Sequence, residues 1–228
     1  KGDRIGTLAW NTGNHIEAWY GIMGIGAVCH TLNPRLFPEQ LVYIINHAGD
    51  RIIFVDLTFV PLLEAILPHI PKVERVVIMT DAAHMPQAKL PRAEAYEAVL
   101  EQSSSDVTWG GFDEQTACGL CYTSGTTGNP KGVVTHHRGA YLNSASNVIS
   151  WNLPQHTTYL WTLPMFHCNG WCFPWTMALI AGTSVCLRRI DPAVIFSLIK
   201  AHHITHMCGA PIVYNLLISA PAKLREGL

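Results

Sequence analysis

Short apolar runs alternate with longer stretches in which apolar residues recur every three to four positions, almost from the first residue onward. The short runs predict strands at residues 4–9, 28–32, 51–55, 75–79, 117–122, 159–163, 183–187 and 205–208. The stretches between them predict helices at residues 14–25, 38–48, 61–70, 93–102, 138–150, 171–181, 192–201 and 211–219. Alternation of these two periods is what βαβ units produce, so the expected class is α/β, with largely parallel sheets flanked by helices. Local chemistry supports several boundaries. Asp191-Pro192 sets a capping carboxylate before a proline at the first helical position, and Gly49 and Gly182 stand where helices must stop. Residues 80–92 and the serine-rich 103–111 read as loops, and no internal repeat is visible.

The run Tyr122-Thr123-Ser124-Gly125-Thr126-Thr127-Gly128-Asn129-Pro130-Lys131-Gly132 leaves one of the predicted strands. Gly125 and Gly128 reach backbone conformations closed to other residues, so successive N–H groups can turn toward an anion. Thr123, Ser124, Thr126 and Thr127 can donate to phosphate oxygens or ligate a hard cation, and Lys131 supplies a compact positive charge. The Walker P-loop needs a lysine directly after glycine and a hydroxyl residue directly after the lysine. Here Lys131 follows Pro130 and precedes Gly132, so that register fails. A flexible surface loop is the commoner outcome of Ser/Thr/Gly composition taken alone.

Composition narrows the partners. Charged residues make up 14% of the chain, against about 25% in an average soluble domain, and the net charge is −1. That balance favours neither nucleic acid nor an anionic membrane. Some surface is expected to be covered in a longer parent, since both ends look cut: the chain opens on Lys1 and stops at Leu228 without a tail. The 7 cysteines are scattered and odd in number, which points to a reducing cytosol. Cys118 and Cys121 have zinc or redox spacing but no second pair, and His202, His203 and His206 have no nearby carboxylate, so both groups read as packed or solvated side chains.

From Gly139 to Leu187 there is no Asp, Glu, Lys or Arg, and the segment contains Trp151, Trp161, Trp171 and Trp175. Prolines and polar residues interrupt it, so it does not read as a membrane helix. A buried core explains most of it, and part could wall an apolar ligand pocket. Within it, Pro164-Met165-Phe166-His167 follows a predicted strand and opens a predicted helix, where α/β folds place ligand groups. A lone histidine among apolar residues is more often a core residue than a functional one.

The resemblance to a known family reorders that choice. Residues 122–132 resemble, position for position, the signature loop of the acyl-adenylate-forming (AMP-binding) superfamily: acyl-CoA synthetases, adenylation domains of peptide synthetases and beetle luciferases. Pro164-Met165-Phe166-His167 resembles the aromatic–histidine motif of the acyl-CoA synthetase branch. Trp10-Asn11-Thr12, His30 to Phe37 and Gly209 to Tyr214 resemble further segments of that branch, particularly ligases for short- and medium-chain acids or 3-methylthiopropionate. The resemblance implies an incomplete N-terminal domain, with a first α/β lobe at residues 1–155 and the start of a second at 156–228. It implies ATP-dependent activation of a carboxylic acid to acyl-AMP and then acyl-CoA by a cytoplasmic parent enzyme, with ATP, Mg2+ and coenzyme A as cofactors or co-substrates. Adenylation of an amino acid for a carrier protein, or a non-catalytic nucleotide-binding module, are the alternatives.

Carried over residue by residue, Thr123, Ser124, Gly125, Thr126, Thr127, Gly128 and Lys131 would hold phosphate, and Thr123 would ligate magnesium. His167 and Lys131 would be the catalytic groups. His167 would also orient the carboxylate or touch the adenylate phosphate, and Trp171, one helical turn on, would face the acyl channel.

Overall fold

The computed structural model describes residues 1–123 and 128–228, organised around two sheets. The first holds β1 (Arg4–Leu8), β2 (Val28–Thr31), β3 (Ile52–Val55), β4 (Arg75–Ile78), β5 (Glu94–Ala95), β6 (Ala117–Tyr122) and β7 (Gly132–His136) in the order β5-β4-β3-β1-β2-β6-β7. All neighbours are parallel except β6 and β7, which form an antiparallel hairpin with Tyr122 opposite Gly132. The second sheet is parallel throughout: β10 (His206–Met207), β8 (Thr158–Trp161) and β9 (Thr183–Cys186). Strands such as Ile52–Val55 and Arg75–Ile78 read as near-continuous apolar runs because helices cover both faces of a parallel sheet.

Most of the expected elements are found, with local revisions. The helices are α1 (Gly13–Gly24), α2 (Pro38–Ala48), α3 (Val60–Ile66), α4 (Tyr96–Glu101), α5 (His137–Ser150), α6 (Cys168–Trp171), α7 (Phe173–Leu179), α8 (Pro192–His202) and α9 (Pro211–Ile218). Gly49 ends α2 in the left-handed region at φ 72°, and the Asp191 side chain accepts from the Ala193 N–H as a cap of α8. Gly182 does not play the same part. The left-handed residue after α7 is Ala181, at φ 49°, while a Cβ on Gly182 would meet the Thr157 carbonyl oxygen at 2.9 Å, so the glycine serves close approach instead. Residues 61–70 form α3 followed by a 3-10 turn, Leu67–His69, because Pro68 cannot extend the α-helical ladder.

Three hydrophobic clusters tie the layers together. One joins the two sheets through Trp19, Cys29, Cys118, Tyr159, Trp161, Phe173 and Met177, with the Tyr159 and Phe173 rings stacked at 4.4 Å. The uncharged stretch therefore supplies much of the inter-sheet core. A second cluster, around Leu41, Ile45, Ile53, Leu63 and Val76, covers another part of the first sheet, and a third packs α8 and α9 on the second. The Cys118 side chain lies in the inter-sheet core, where burial pushes its thiol up to about 12, so it is a packing group.

Candidate functional site

In parallel sheets every strand ends at the same edge, so the loops leaving β1, β2 and β6 gather together, and β8 of the second sheet brings residues 162–167 to them. The β6–β7 hairpin closes the glycine-rich loop at its base. The Thr123 N–H donates to the Lys131 carbonyl at 3.0 Å, and the Thr123 hydroxyl faces the same oxygen at 3.5 Å. β7 was not among the predicted strands, although Gly132-Val-Val-Thr-His is a short β-branched run just past a turn, which is the signal for a hairpin partner. Gly128 adopts φ 90°, a conformation that requires glycine. Ser124, Gly125, Thr126 and Thr127 lie outside the described residues. Tyr122, just before the loop, pairs its hydroxyl with His47 Nδ1 at 2.7 Å, and burial pushes the phenol up to about 12.

His167 is exposed and lines a cavity of about 630 Å³, which Thr123 and Trp171 also line. The wall also includes Asn143 and Asn147 of α5, Cys121, and Trp175 of α7. Sequence reasoning did not single out the two asparagines, and four-residue spacing on a polar helix face is too common to mark them. Asn169 also borders the cavity and is buried, its Nδ2 without a partner among the described residues. Lys131 is exposed and reaches this group through its backbone contact with Thr123.

Trp171 does not stand one right-handed helical turn from His167. Cys168, Asn169, Gly170, Trp171 and Cys172 all have positive φ, between 42° and 66°, and the regular helix begins only at Phe173. Pro174 explains the late start. At the second helical position its missing N–H costs nothing, whereas in a helix begun at Trp171 its ring would strike the carbonyl of Gly170. The indole is 55% exposed and remains on the cavity wall with His167.

Between β8 and His167 the chain is held from the first sheet. The Asn11 amide donates to the carbonyls of Trp161 and Leu163, both at 2.9 Å, and accepts from the Met165 N–H at 2.9 Å. The Trp10 ring meets Phe166 edge-on at 6.0 Å, and the Arg35 guanidinium lies over the same ring at 5.5 Å. Beyond Phe166 lies a second cavity of about 490 Å³, lined by Arg35, Arg188 and Arg189 among others. Arg188 also binds the buried carboxylate of Asp56 through two nitrogens, each at 2.8 Å.

As a magnesium ligand Thr123 offers one oxygen. Among the described residues no cluster of three His, Cys, Asp or Glu is placed to hold a metal ion. A single hydroxyl suits Mg2+, which binds through few protein oxygens and takes the rest of its shell from substrate phosphate and water.

The AMP-binding enzyme family model matches residues 1–227. The chain belongs to that family. It is 44% identical over 227 residues to 3-methylmercaptopropionyl-CoA ligase of Ruegeria lacuscaerulensis, covering 97% of this chain and 42% of that protein. To a medium-chain-fatty-acid–CoA ligase of Ectopseudomonas oleovorans it is 40% identical, covering 96% and 41%. The fold matches the ATP-bound crystal structure of MatB from Rhodopseudomonas palustris with a TM-score of 0.79 at 21% identity, covering 98% and 43%. Membership bears out the α/β class and the expected family. The chain spans about two fifths of the length of the curated relatives it matches. Among the described residues no helix is long and apolar enough to cross a membrane.

Proposed function

We propose that the full-length protein activates a carboxylic acid with ATP and transfers the acyl group to coenzyme A. The observation that carries this reading is the cavity shared by Thr123, at the base of the phosphate loop, and by His167 and Trp171 on its apolar wall. A nucleotide phosphate at the loop and an acyl chain in the cavity would meet at His167.

In the first step a carboxylate oxygen attacks the α-phosphorus of ATP, and the bond to the β-phosphate breaks, its electron pair leaving with pyrophosphate. Lys131, the loop N–H groups and the hydroxyls of 123–127 oppose the charge that builds on that leaving group. Thr123 would hold magnesium, which when bound neutralises phosphate charge. A carboxylate is ionised near neutral pH, so His167 is assigned to orienting it and the adenylate phosphate, not to removing a proton. Trp171 limits the acyl chain. In the second step the thiol sulfur, giving up its proton to solvent, forms a bond to the acyl carbon, and the bond from that carbon to the phosphate oxygen breaks, its electron pair leaving with AMP. The guanidinium groups beside Phe166 suit the phosphates of coenzyme A.

The 7 free cysteines fit a reducing cytosol, and the near-neutral charge gives no reason to invoke nucleic acid. The test is ATP–pyrophosphate exchange by the full-length protein against a panel of acids. Exchange dependent on fatty or short-chain acids, followed by thioester formation, supports the reading. Dependence on amino acids, or nucleotide binding without exchange, overturns it.

A further inference from the structure

We infer that Asn11 is a positioning residue that sets the place of His167 from the first sheet, an inference that rests on the role proposed above for His167. Asn11 is 6% exposed and stands in the short turn between β1 and α1. Both ends of that turn are fixed: Leu8 closes a parallel strand, and Thr12 caps α1 by accepting from the His15 N–H at 3.2 Å. The side chain spends both amide hydrogens on Trp161 and Leu163 and its oxygen on Met165, about 150 residues away in sequence. These partners alternate along the segment that leads from β8 to His167. Reversing the amide would face its oxygen toward two carbonyls and its NH2 toward an N–H, so the three bonds form only in one orientation.

Among the described residues, the segment's other hydrogen bonds stay local or within the second sheet. Thr162 is tied to the Cys208 carbonyl within the second sheet, and the His167 N–H closes a turn onto Pro164 at 3.2 Å. Those contacts shape the segment but do not relate it to the phosphate loop. Asn11 does, because β1 pairs with β2, and β2 with β6, which runs into Thr123. The distance between the loop that would hold phosphate and the histidine that would hold the carboxylate is thus set from the first sheet, the Asn11 amide supplying the directional bonds while Trp10 and Arg35 pack on Phe166 beside it. In-line attack tolerates little error, since about 1 Å of misplacement costs about 10²-fold in rate.

The test is a double-mutant cycle in the full-length protein, reading kcat and KM for ATP in acid-dependent pyrophosphate exchange. Asn11→Ala should lower kcat about 10²-fold and leave the KM for ATP within about twofold, because the phosphate loop keeps its own hairpin. In a His167→Ala background the same change should cost less than about threefold, since a histidine that is absent cannot be misplaced. Equal losses in both backgrounds would mean that Asn11 supports the fold at large, and would overturn the inference while leaving the role of His167 intact. An unchanged rate in His167→Ala alone would overturn that role and the inference with it. If Asn11→Ala does not fold, Asn11→Ser, which keeps one hydroxyl for the Met165 N–H, goes through the same cycle and is judged by the same two outcomes.

Discussion

Acid should loosen the turn that carries Asn11, and the effect can be worked out from His15. This residue of α1 is 0% exposed and lies directly behind the turn. Its Nδ1 is 3.0 Å from the Trp10 carbonyl, which can only accept, so Nδ1 carries the proton. Its Nε2 is 3.0 Å from the Thr7 hydroxyl, which donates to it. Both nitrogens are satisfied in the neutral ring, and burial lowers the pKa from the usual 6.5 to about 4, outweighing the opposite pull of the Trp10 carbonyl and the Asp56 charge. A tenfold change in proton affinity is worth about 1.4 kcal/mol, so the difference amounts to about 3 kcal/mol. The sign follows from which state holds the proton. Between pH 6.5 and pH 4 the unfolded chain protonates His15 and the folded chain does not. The stabilisation is complete above pH 6.5, is lost as pH falls toward 4, and changes no further below that. Total stability is commonly about 5–15 kcal/mol, so the loss is large enough to measure. Urea unfolding at pH 7 and pH 4 should show a pH-dependent loss about 3 kcal/mol smaller in His15→Gln than in the wild type. An imidazole NMR titration should place the His15 midpoint near 4 in the Nδ1–H tautomer. A midpoint near 6.5, or the same pH dependence in both proteins, would refute the reasoning.

Thr123→Ala and Lys131→Ala in the full-length protein should each lower pyrophosphate exchange by about 10²–10³, and Thr123→Ala alone should raise the magnesium requirement. Unchanged exchange in both folded variants would sink the phosphate-loop assignment. Trp171→Ala should shift kcat/KM toward longer straight-chain acids, each added buried methylene being worth about 0.8 kcal/mol, while His167→Ala should depress all acids alike; equal rescaling by Trp171→Ala would make the indole a packing group. Arg188→Ala should cost about 1–3 kcal/mol in urea unfolding because it strands the Asp56 carboxylate, 3% exposed, without its two charged donors. An unshifted midpoint would show that water replaces the guanidinium without loss.

What could be read in the chain before its fold depended on how far apart the interacting residues lie. Gly49, Asp191-Pro192 and the loop at 122–132 act on their immediate neighbours, so composition and spacing suffice to single them out, and family membership agrees with the family the loop resembles. The positive φ values of 168–172 were not visible in the pattern of apolar positions, and Pro174 marks the late helix start only once its place at the second helical position is known. Asn11 was visible as part of a resembling segment, yet nothing near it in sequence indicates that its amide reaches residues 161–165. The chemical groups of the candidate site are therefore legible locally, while their alignment is not. Aligning His167 with Thr123 requires two sheets, and besides the apolar core that joins them, polar contacts such as those of Asn11 and Arg188 meet partners more than a hundred positions away. A substitution at either should disturb function or stability without touching any residue of the phosphate loop.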